Sequence, residues 1–142
     1  MSKITLDIDY VGSVPKYMTQ GAAGADLAAK VETIIPPYEE RLVGTGTKVK
    51  IPEGFFGMLV PRSSTCRKLG LELTNSVGVI DEDYIGEIMF SYRNISDEYV
   101  MIKQGERIGQ LAILPYVKAE FSSVDVLEVT GRGEDGFGST GA

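Results

Sequence analysis

Short β-type stretches follow one another along the whole chain, and no long helical periodicity interrupts them. Polar and apolar residues alternate in "ITLDI" (4–8), "TKVKI" (47–51) and "EIMFSYRN" (87–94), and "FFGMLV", "YVMI" and "RIGQLAIL" are rich in β-forming residues. Turn signals such as Pro36-Pro37 and Pro52-Glu53-Gly54 separate the stretches. This even spacing predicts an all-β protein built as an antiparallel sandwich or barrel, with a jelly roll as the first choice.

One brief helix is predicted within this pattern. "SSTCRKLG" (63–70) offers a serine N-cap, basic residues toward its end and a glycine at C′, which fits two turns at most. In "PRSST" (61–65), Arg62 and the hydroxyls that follow it gather at the start of this helix, where free backbone N–H groups favour an anion. The same residues also fit a plain helix cap beside a surface arginine, so both interpretations stay open on this segment alone.

Length and composition indicate a single globular domain. The chain has 142 residues, of which 43% are hydrophobic and 24% charged. No apolar run approaches the ~20 residues that cross a bilayer, so no membrane association is predicted. The first ten residues, "MSKITLDIDY", lack the apolar stretch and cleavage site of a secretory signal. We therefore predict a cytoplasmic protein.

Residue counts narrow the chemistry further. The sequence has one cysteine, Cys66, and no histidine, which excludes an internal disulfide, a His/Cys zinc site and an imidazole-based triad. With 14 basic and 20 acidic residues the net charge is −6, the wrong sign for binding extended nucleic acid. An anionic ligand must therefore be small and held by a local concentration of donors.

Two carboxylate-bearing segments and one amide could belong to a site. "NSVGVIDEDYIGEI" (75–88) is interpreted as a hairpin of two apolar arms whose acidic tip, 81–83, is either a solvated turn or a group that activates a water. "GAAGADLAA" (21–29) holds a lone carboxylate, Asp26, which needs a partner if it is buried. Gln110 is the uncharged polar side chain of the apolar run "RIGQLAIL" and is typical of a core hydrogen-bond network.

The chain ends in a glycine-rich stretch, "GRGEDGFGSTGA". Such termini are disordered more often than not, but Arg132 can pair with a phosphate through two hydrogen bonds and Phe137 offers a ring for stacking. We predict two parts: a jelly-roll domain over 1–130 and a flexible lid over 131–142 that closes on a ligand.

Five stretches together resemble a known family. "AGADLAA", "PRSS", "NSVGVIDEDYIGEI", "GERIGQL" and "RGEDGFGSTG" are similar, in order and spacing, to the five motifs of the trimeric dUTPases, and the likeness spans residues 23–141. The resemblance implies a distorted jelly roll and a homotrimer with three shared active sites. It also implies Mg²⁺-dependent hydrolysis of dUTP to dUMP and pyrophosphate by water attack on the α-phosphorus. This activity limits uracil incorporation into DNA and supplies dUMP for thymidylate synthesis.

The resemblance also assigns roles to single residues. Asp81 is expected to activate the attacking water, and Asp26 to support the polar network of the site. Phe137 is expected to stack on uracil from a neighbouring subunit. The remaining substrate-binding positions, which would contact the uracil edge, the deoxyribose or the phosphates, are Arg62, Ser63, Ser64, Asn75, Gly78, Val79, Ile80, Tyr84, Met89, Gln110, Arg132, Gly138, Ser139 and Thr140. Mg²⁺ is expected on the phosphates and water, with no direct side-chain ligand.

Two departures and two rival functions accompany this resemblance. Ser64 stands where the family commonly has glycine and is expected to donate through its backbone N–H as glycine would. Ile85 stands where the family often has Arg or Gln, which bears on affinity more than on activity. The related dCTP deaminases need a glutamate at the position of Ser91, and a serine cannot shuttle protons there. A non-catalytic nucleotide-binding protein is disfavoured by Asp81, Arg62 and Phe137. An additional role in holding a protein partner stays open.

Overall fold

The computed structural model describes residues 4–138, without the side chains of Cys66 and Arg67. Its regular elements are β-strands apart from one short helix, which confirms the predicted all-β class. The elements in chain order are β1 (Asp9–Val11), β2 (Ala25–Ala28), β3 (Thr33–Ile35), β4 (Glu40–Gly44), β5 (Lys48–Lys50), β6 (Phe55–Val60), α1 (Ser63–Leu69), β7 (Leu71–Leu73), β8 (Gly78–Ile80), β9 (Met89–Asn94), β10 (Val100–Ile102) and β11 (Arg107–Pro115).

The strands form a distorted jelly roll. A four-stranded sheet has the order β2-β11-β6-β8, a three-stranded sheet has the order β4-β9-β7, and two further pairs join β1 to β5 and β3 to β10. The pairs between these strands are antiparallel. Strands that are neighbours in a sheet are mostly distant in sequence, as expected for the crossing connections of a jelly roll.

Alternation along the strands builds the core. In β7, β8 and β10 the first and third residues are buried and the middle one is exposed. The same period places Phe90 and Tyr92 of β9 on one inward face, where both are fully buried and their rings stack with centroids 5.9 Å apart. The hydrophobic effect of this alternate burial stabilises the barrel.

The helix matches its prediction closely. It spans Ser63–Leu69 and ends at Gly70, whose positive φ of 67° is the left-handed conformation that glycine adopts at C′ without strain. Thr65, in the first turn of this helix, is buried. The helix begins soon after β6 ends, and the buried Thr65 side chain holds it against the barrel.

Two strand predictions were wrong. Residues 4–8 contain no strand, and the first strand is β1. The hairpin over 75–88 does not form either, because β8 pairs with β6 whereas β9 pairs with β4 and β7. The end of the second arm pairs with the segment before β5 instead. The N–H of Ile88 donates to the carbonyl of Thr47 (2.8 Å), and the carbonyl of Ile88 accepts from the hydroxyl of Thr45 (2.7 Å).

Candidate active site

A buried carboxylate, Asp26, organises one group of polar residues. It lies on β2 and is 5% exposed. The Nε atom of Arg62 and the Nη1 atom of Arg107 each lie 3.2 Å from its Oδ2 atom, and the Nε2 atom of Gln110 donates to its Oδ1 atom at 3.1 Å. We call these four residues the Asp26 cluster. A buried carboxylate needs polar partners, and Asp26 has three of them.

A β-bulge brings two members of the cluster to the same side of β11. Residues three apart on a regular strand point to opposite faces, as Arg107 and Gln110 would. The register of β11 against β2 shifts between Arg107 and Gly109, so one extra residue is accommodated there. Both side chains consequently reach Asp26.

The charge of the Asp26 cluster suits an anion. Two guanidinium groups face one carboxylate, which leaves an excess positive charge. The side chains of Arg62 and Arg107 remain 28% and 42% exposed, so part of each guanidinium is open to solvent. Ser63 and Ser64 follow Arg62 on the first turn of α1. Arginine forks of this kind match the oxygen geometry of phosphate.

A second group surrounds the acidic turn, residues 81–83, which follows β8. The N–H of Tyr84 closes this turn on the carbonyl of Asp81 at 3.1 Å. Asp81 is exposed and faces a cavity of about 700 Å³, whose lining residues are Phe56, Val79, Asp81, Glu82, Asp83, Tyr116 and Lys118. An exposed carboxylate at the mouth of a cavity can accept a proton from water.

The middle residue of the acidic turn fastens it to the barrel. The carboxylate of Glu82 accepts hydrogen bonds from the Tyr116 hydroxyl and from the N–H of Gly54, the latter at 3.4 Å. Lys50 adds a bond from its Nζ atom to the Glu82 carbonyl at 3.4 Å. Because Glu82 takes these partners, Asp81 beside it stays exposed on a fixed turn.

β8 presents an open edge next to this turn. It is the last strand of its sheet within residues 4–138, so one side of its backbone has no partner strand. Gly78 and Ile80 point into the protein and Val79 points out. Unpaired N–H and C=O groups on such an edge are available to a ligand.

Three further residues predicted for the site lie before and after β8 in the chain. The hydroxyl of Tyr84 donates to the carbonyl of Glu87 at 2.7 Å, and its ring passes so close to Gly86 that a Cβ atom there would lie 2.5 Å from the phenol oxygen. Asn75 is exposed in the turn that precedes β8. Met89 is 40% exposed at the start of β9, opposite Gly44.

The two groups lie apart within one chain. β8 runs against β6 with Ile80 opposite Gly57, so Asp81 lies near Phe56 at the start of β6. Arg62 lies just beyond the other end of that strand. At roughly 3.3 Å per strand residue, the stretch from Phe56 to Arg62 separates them by about 20 Å.

The chain leaves the barrel after Tyr116 as an extended arm. Residues 117–138 are exposed throughout and contain no helix or strand. The arm carries large apolar side chains with almost no cover, namely Val117, Phe121, Val126, Leu127, Val129 and Phe137. Arg132 donates from Nε to the carbonyl of Asp135 at 2.5 Å, in a local turn. Ser139 and Thr140 lie outside the described residues.

Comparison with known proteins decides the family. A family model described as dUTPase matches residues 11–141. The chain belongs to the dUTPase family. It is 43% identical over 130 residues to the deoxyuridine 5′-triphosphate nucleotidohydrolase of Hydrogenobaculum sp. (strain Y04AAS1), covering 91% of this chain and 90% of the relative. Identity to the enzyme of the same name from Thiobacillus denitrificans is 43% over 139 residues, covering 96% of this chain and 95% of the relative.

Solved dUTPase structures share the fold. The Staphylococcus bacteriophage 80alpha dUTPase with dUpNHpp superposes with a TM-score of 0.89 at 27% identity, covering 97% of this chain and all of that one. The dUTPase from Streptococcus mutans gives a TM-score of 0.74 at 38% identity, covering 76% and 89%. The resemblance found in the five motifs is thereby confirmed.

Sequence reasoning missed one member of the Asp26 cluster, Arg107. It lies in "GERIGQL", a stretch that had been singled out for Gln110 alone. The available signal was a second cation in a dUTPase motif beside an expected phosphate site. Strand alternation alone would place Arg107 on the opposite face from Gln110, and the bulge cancels that alternation.

Beneath the Asp26 cluster, the buried phenol of Tyr92 predicts an alkaline loss of stability. Burial raises the pKa of Tyr92 above its ordinary value of 10.0, against a smaller lowering by a hydrogen bond with Thr65. Above about pH 10 the unfolded chain releases this proton and the folded chain keeps it. The free energy of unfolding should therefore fall by up to about 1.4 kcal/mol per pH unit from this group.

Urea denaturation between pH 8 and 11 measures this slope, and Tyr92→Phe is the matched variant because it removes only the titrating hydroxyl. We expect a shallower alkaline slope in the variant. Equal slopes in the two proteins would show that Tyr92 does not contribute.

Proposed function

We propose that this chain hydrolyses dUTP to dUMP and pyrophosphate, with Asp81 as the residue that activates water. The observation that carries the activity is the end-to-end match to enzymes named deoxyuridine 5′-triphosphate nucleotidohydrolase. The related bacteriophage enzyme was solved with dUpNHpp, an analogue of dUTP. The comparisons thus support nucleotide hydrolysis by this chain, and the proposal concerns the roles of its single residues.

The chemical step needs one base and a positioned triphosphate. The Asp81 carboxylate takes a proton from water, whose oxygen bonds to the α-phosphorus while the bond from that phosphorus to the α–β bridging oxygen breaks and pyrophosphate leaves. Asp81 suits this role because it is exposed at a cavity on a turn that Glu82 holds in place. A base of this kind contributes about 10²–10⁴-fold.

The open edge of β8 supports recognition of uracil. Backbone donors and acceptors at Gly78, Val79 and Ile80 would pair with the edge of the base, and a base that left them unpaired would be rejected. Tyr84 would lie against the deoxyribose, held by its hydrogen bond to Glu87. Asn75 precedes β8 in the chain and Met89 follows it, and the two residues complete this part of the proposed site.

The Asp26 cluster supports phosphate binding. Arg62, Arg107 and Gln110 are held by Asp26 while their outer surfaces stay accessible, and Ser63 and Ser64 add donors nearby. The excess positive charge fits phosphates better than it fits a metal ion, so Mg²⁺ would be carried by the phosphates and water. When bound, Mg²⁺ neutralises phosphate charge and orients the leaving pyrophosphate.

The separation of the two groups supports a site shared between subunits. A nucleotide that contacts Asp81 and Arg62 together cannot span about 20 Å along β6 of one chain without losing one of them. In a cyclic homotrimer the acidic turn of one subunit can face the Asp26 cluster of the next. The uncovered apolar arm fits the same assembly, because it needs another surface to bury Phe121, Leu127 and Val129.

The arm would bring the lid to a neighbouring site. Phe137 would stack on uracil, and Arg132 with Gly138, Ser139 and Thr140 would contact the γ-phosphate. In support, the Phe137 side chain is fully exposed among the residues that the structure describes. The cytoplasmic location and the open question of a protein partner stay predictions. Within residues 4–138, no helix has the length and apolar character of a membrane span.

The activity is tested by pyrophosphate release with Mg²⁺ from dUTP, set against dCTP, dTTP and UTP. We expect release from dUTP with strong preference over the other three. Ammonia from dCTP would instead indicate a deaminase, and binding of dUpNHpp without release from any nucleotide would indicate a non-catalytic member of the family.

A shared site predicts complementation between two inactive variants. Asp81→Asn and Arg62→Ala should each be nearly inactive alone, whereas trimers co-expressed with two different tags and purified through both should regain activity at about a third of their sites. The reason is that one subunit then supplies an intact Asp81 to another subunit's intact Arg62. Steady-state dUTP hydrolysis measures the recovery.

The matched control combines Asp81→Asn with a chain carrying both substitutions, and it should stay inactive. Absence of recovery in the first mixture, with both variants folded and assembled, would mean that each site is completed by one chain.

A further inference from the structure

A buried tyrosine contacts both α1, the helix that follows Arg62, and β11, the strand that begins at Arg107. Tyr92 lies on β9 and is fully buried. Its hydroxyl donates to the carbonyl of Ile108 at 2.5 Å, and the side chain of Thr65 in α1 hydrogen-bonds the same phenol. Ile108 is the residue inside the bulge of β11, between Arg107 and Gly109. The hydroxyl therefore connects the helix that follows Arg62 to the bulge that begins at Arg107.

Tight packing reinforces this connection at the next residue of β11. A Cβ atom at Gly109 would lie 2.3 Å from Cε1 of Phe90, so the backbone of β11 rests directly on that ring. The Phe90 ring in turn stacks on Tyr92, with an interplanar angle of 7°. The bulge is thus fixed by a hydrogen bond at Ile108 and by a ring at Gly109.

We propose that Tyr92 is a positioning residue for phosphate binding: its hydroxyl holds the β11 bulge so that Arg107 and Gln110 both reach Asp26. This inference rests on the proposed dUTP hydrolase function. Tyr92 is buried away from solvent and acts through the backbone of β11. Its phenol stays protonated near neutral pH, so it serves as a hydrogen-bond donor.

Loss of the hydroxyl has a specific consequence. The Ile108 carbonyl would be left without its donor in a buried position, and the bulge would relax toward a regular strand. A regular strand directs Arg107 and Gln110 to opposite faces. The contacts with phosphate should weaken while the β8 edge, which belongs to another part of the sheet, keeps its contacts with the base.

The test compares Tyr92→Phe with Thr47→Val in the full-length protein. Thr47 is an equally buried residue whose hydroxyl donates to the carbonyl of Ser13 at 2.7 Å, and within residues 4–138 it has no hydrogen bond to the four residues of the Asp26 cluster. Thr47→Val loses one buried hydrogen bond and Tyr92→Phe loses the bonds with Ile108 and Thr65, so the melting temperature should fall in both variants and at least as far in Tyr92→Phe. For Tyr92→Phe alone we expect dUpNHpp affinity and kcat for dUTP to fall about tenfold, with inhibition by deoxyuridine unchanged.

Similar dUpNHpp affinity and kcat in the two variants, within twofold, would overturn the proposal. A parallel loss of deoxyuridine binding in Tyr92→Phe would also overturn it, because the damage would then be general. Failure of the wild-type protein to hydrolyse dUTP is a separate result, which would remove the proposed function first.

A second pair of variants decides the matter if Tyr92→Phe does not fold. Gly109→Ala should weaken dUpNHpp binding, because its methyl group collides with Phe90. Adding Phe90→Val makes room for that methyl group and should restore the affinity. Unchanged binding in Gly109→Ala would contradict the proposed role of the bulge, as would a double variant that binds no better than the single one.

Discussion

Replacing Asp81 with asparagine should reduce kcat for dUTP hydrolysis by about 10²–10⁴-fold, because the amide cannot accept the proton of the attacking water. Binding should survive, since asparagine has nearly the same shape and the Asp26 cluster is untouched. The measurement pairs pyrophosphate release from dUTP with calorimetric titration of dUpNHpp. A loss in kcat with retained affinity is the signature of a group that acts in the transition state.

Asp97→Asn provides the matched control. Asp97 is an exposed aspartate in the turn between β9 and β10, outside both parts of the proposed site. Its variant loses the same charge and should keep wild-type kcat. Asp81→Asn with near wild-type turnover would remove Asp81 from the mechanism and direct attention to the other carboxylates of the acidic turn.

Deleting residues 131–142 should leave a folded trimer whose kcat/KM for dUTP is at least about 100-fold lower. The barrel strands end at Pro115, and the deletion removes no core residue from the part of its segment that the structure describes, residues 131–138. It does remove the ring of Phe137 and the donors of Arg132, which would otherwise hold the triphosphate in its reactive geometry. Misplacement of bound groups by about 1 Å already costs rates of that order.

Melting temperature and mass in solution establish that the truncated protein is folded and assembled. Full-length Phe137→Ala should fall between the wild-type and the truncated protein, because it removes stacking and keeps the phosphate donors. Full turnover by the truncated chain would exclude a lid function for the glycine-rich end.

Local sequence patterns predicted much of the secondary structure. "FFGMLV" is β6 to the residue, "RIGQLAIL" forms nearly all of β11, and the helix ends where Gly70 predicted. These elements were readable because alternation, β-branched residues and a C′ glycine act within a few residues of the chain. The choice of strand partners depends on contacts between distant segments. For that reason the hairpin at 75–88 was wrong although β8 and β9 themselves were correctly placed in extended segments.

The site shows the same division. Asp26 was flagged from its small neighbours, and Gln110 from its place in an apolar run, and the two are indeed hydrogen-bonded. Arg107 was missed, and the bulge that brings it to Asp26 leaves no mark in the sequence pattern. The burial of Tyr92 beneath these residues was equally invisible, since its partner Ile108 lies on a different sheet and nothing local specifies their pairing.

The arm also bears on how a newly made chain avoids aggregation. Until it is covered, an extended segment with exposed valine, leucine and phenylalanine side chains is a template for unwanted β-pairing. In "VKAEFSSVDVLEV" the apolar residues are interrupted by charges at Lys118, Glu120, Asp125 and Glu128, all of them exposed. Such gatekeeper charges oppose stacking of identical segments. The arm's sequence thus combines apolar anchors for a correct partner with repulsion against copies of itself.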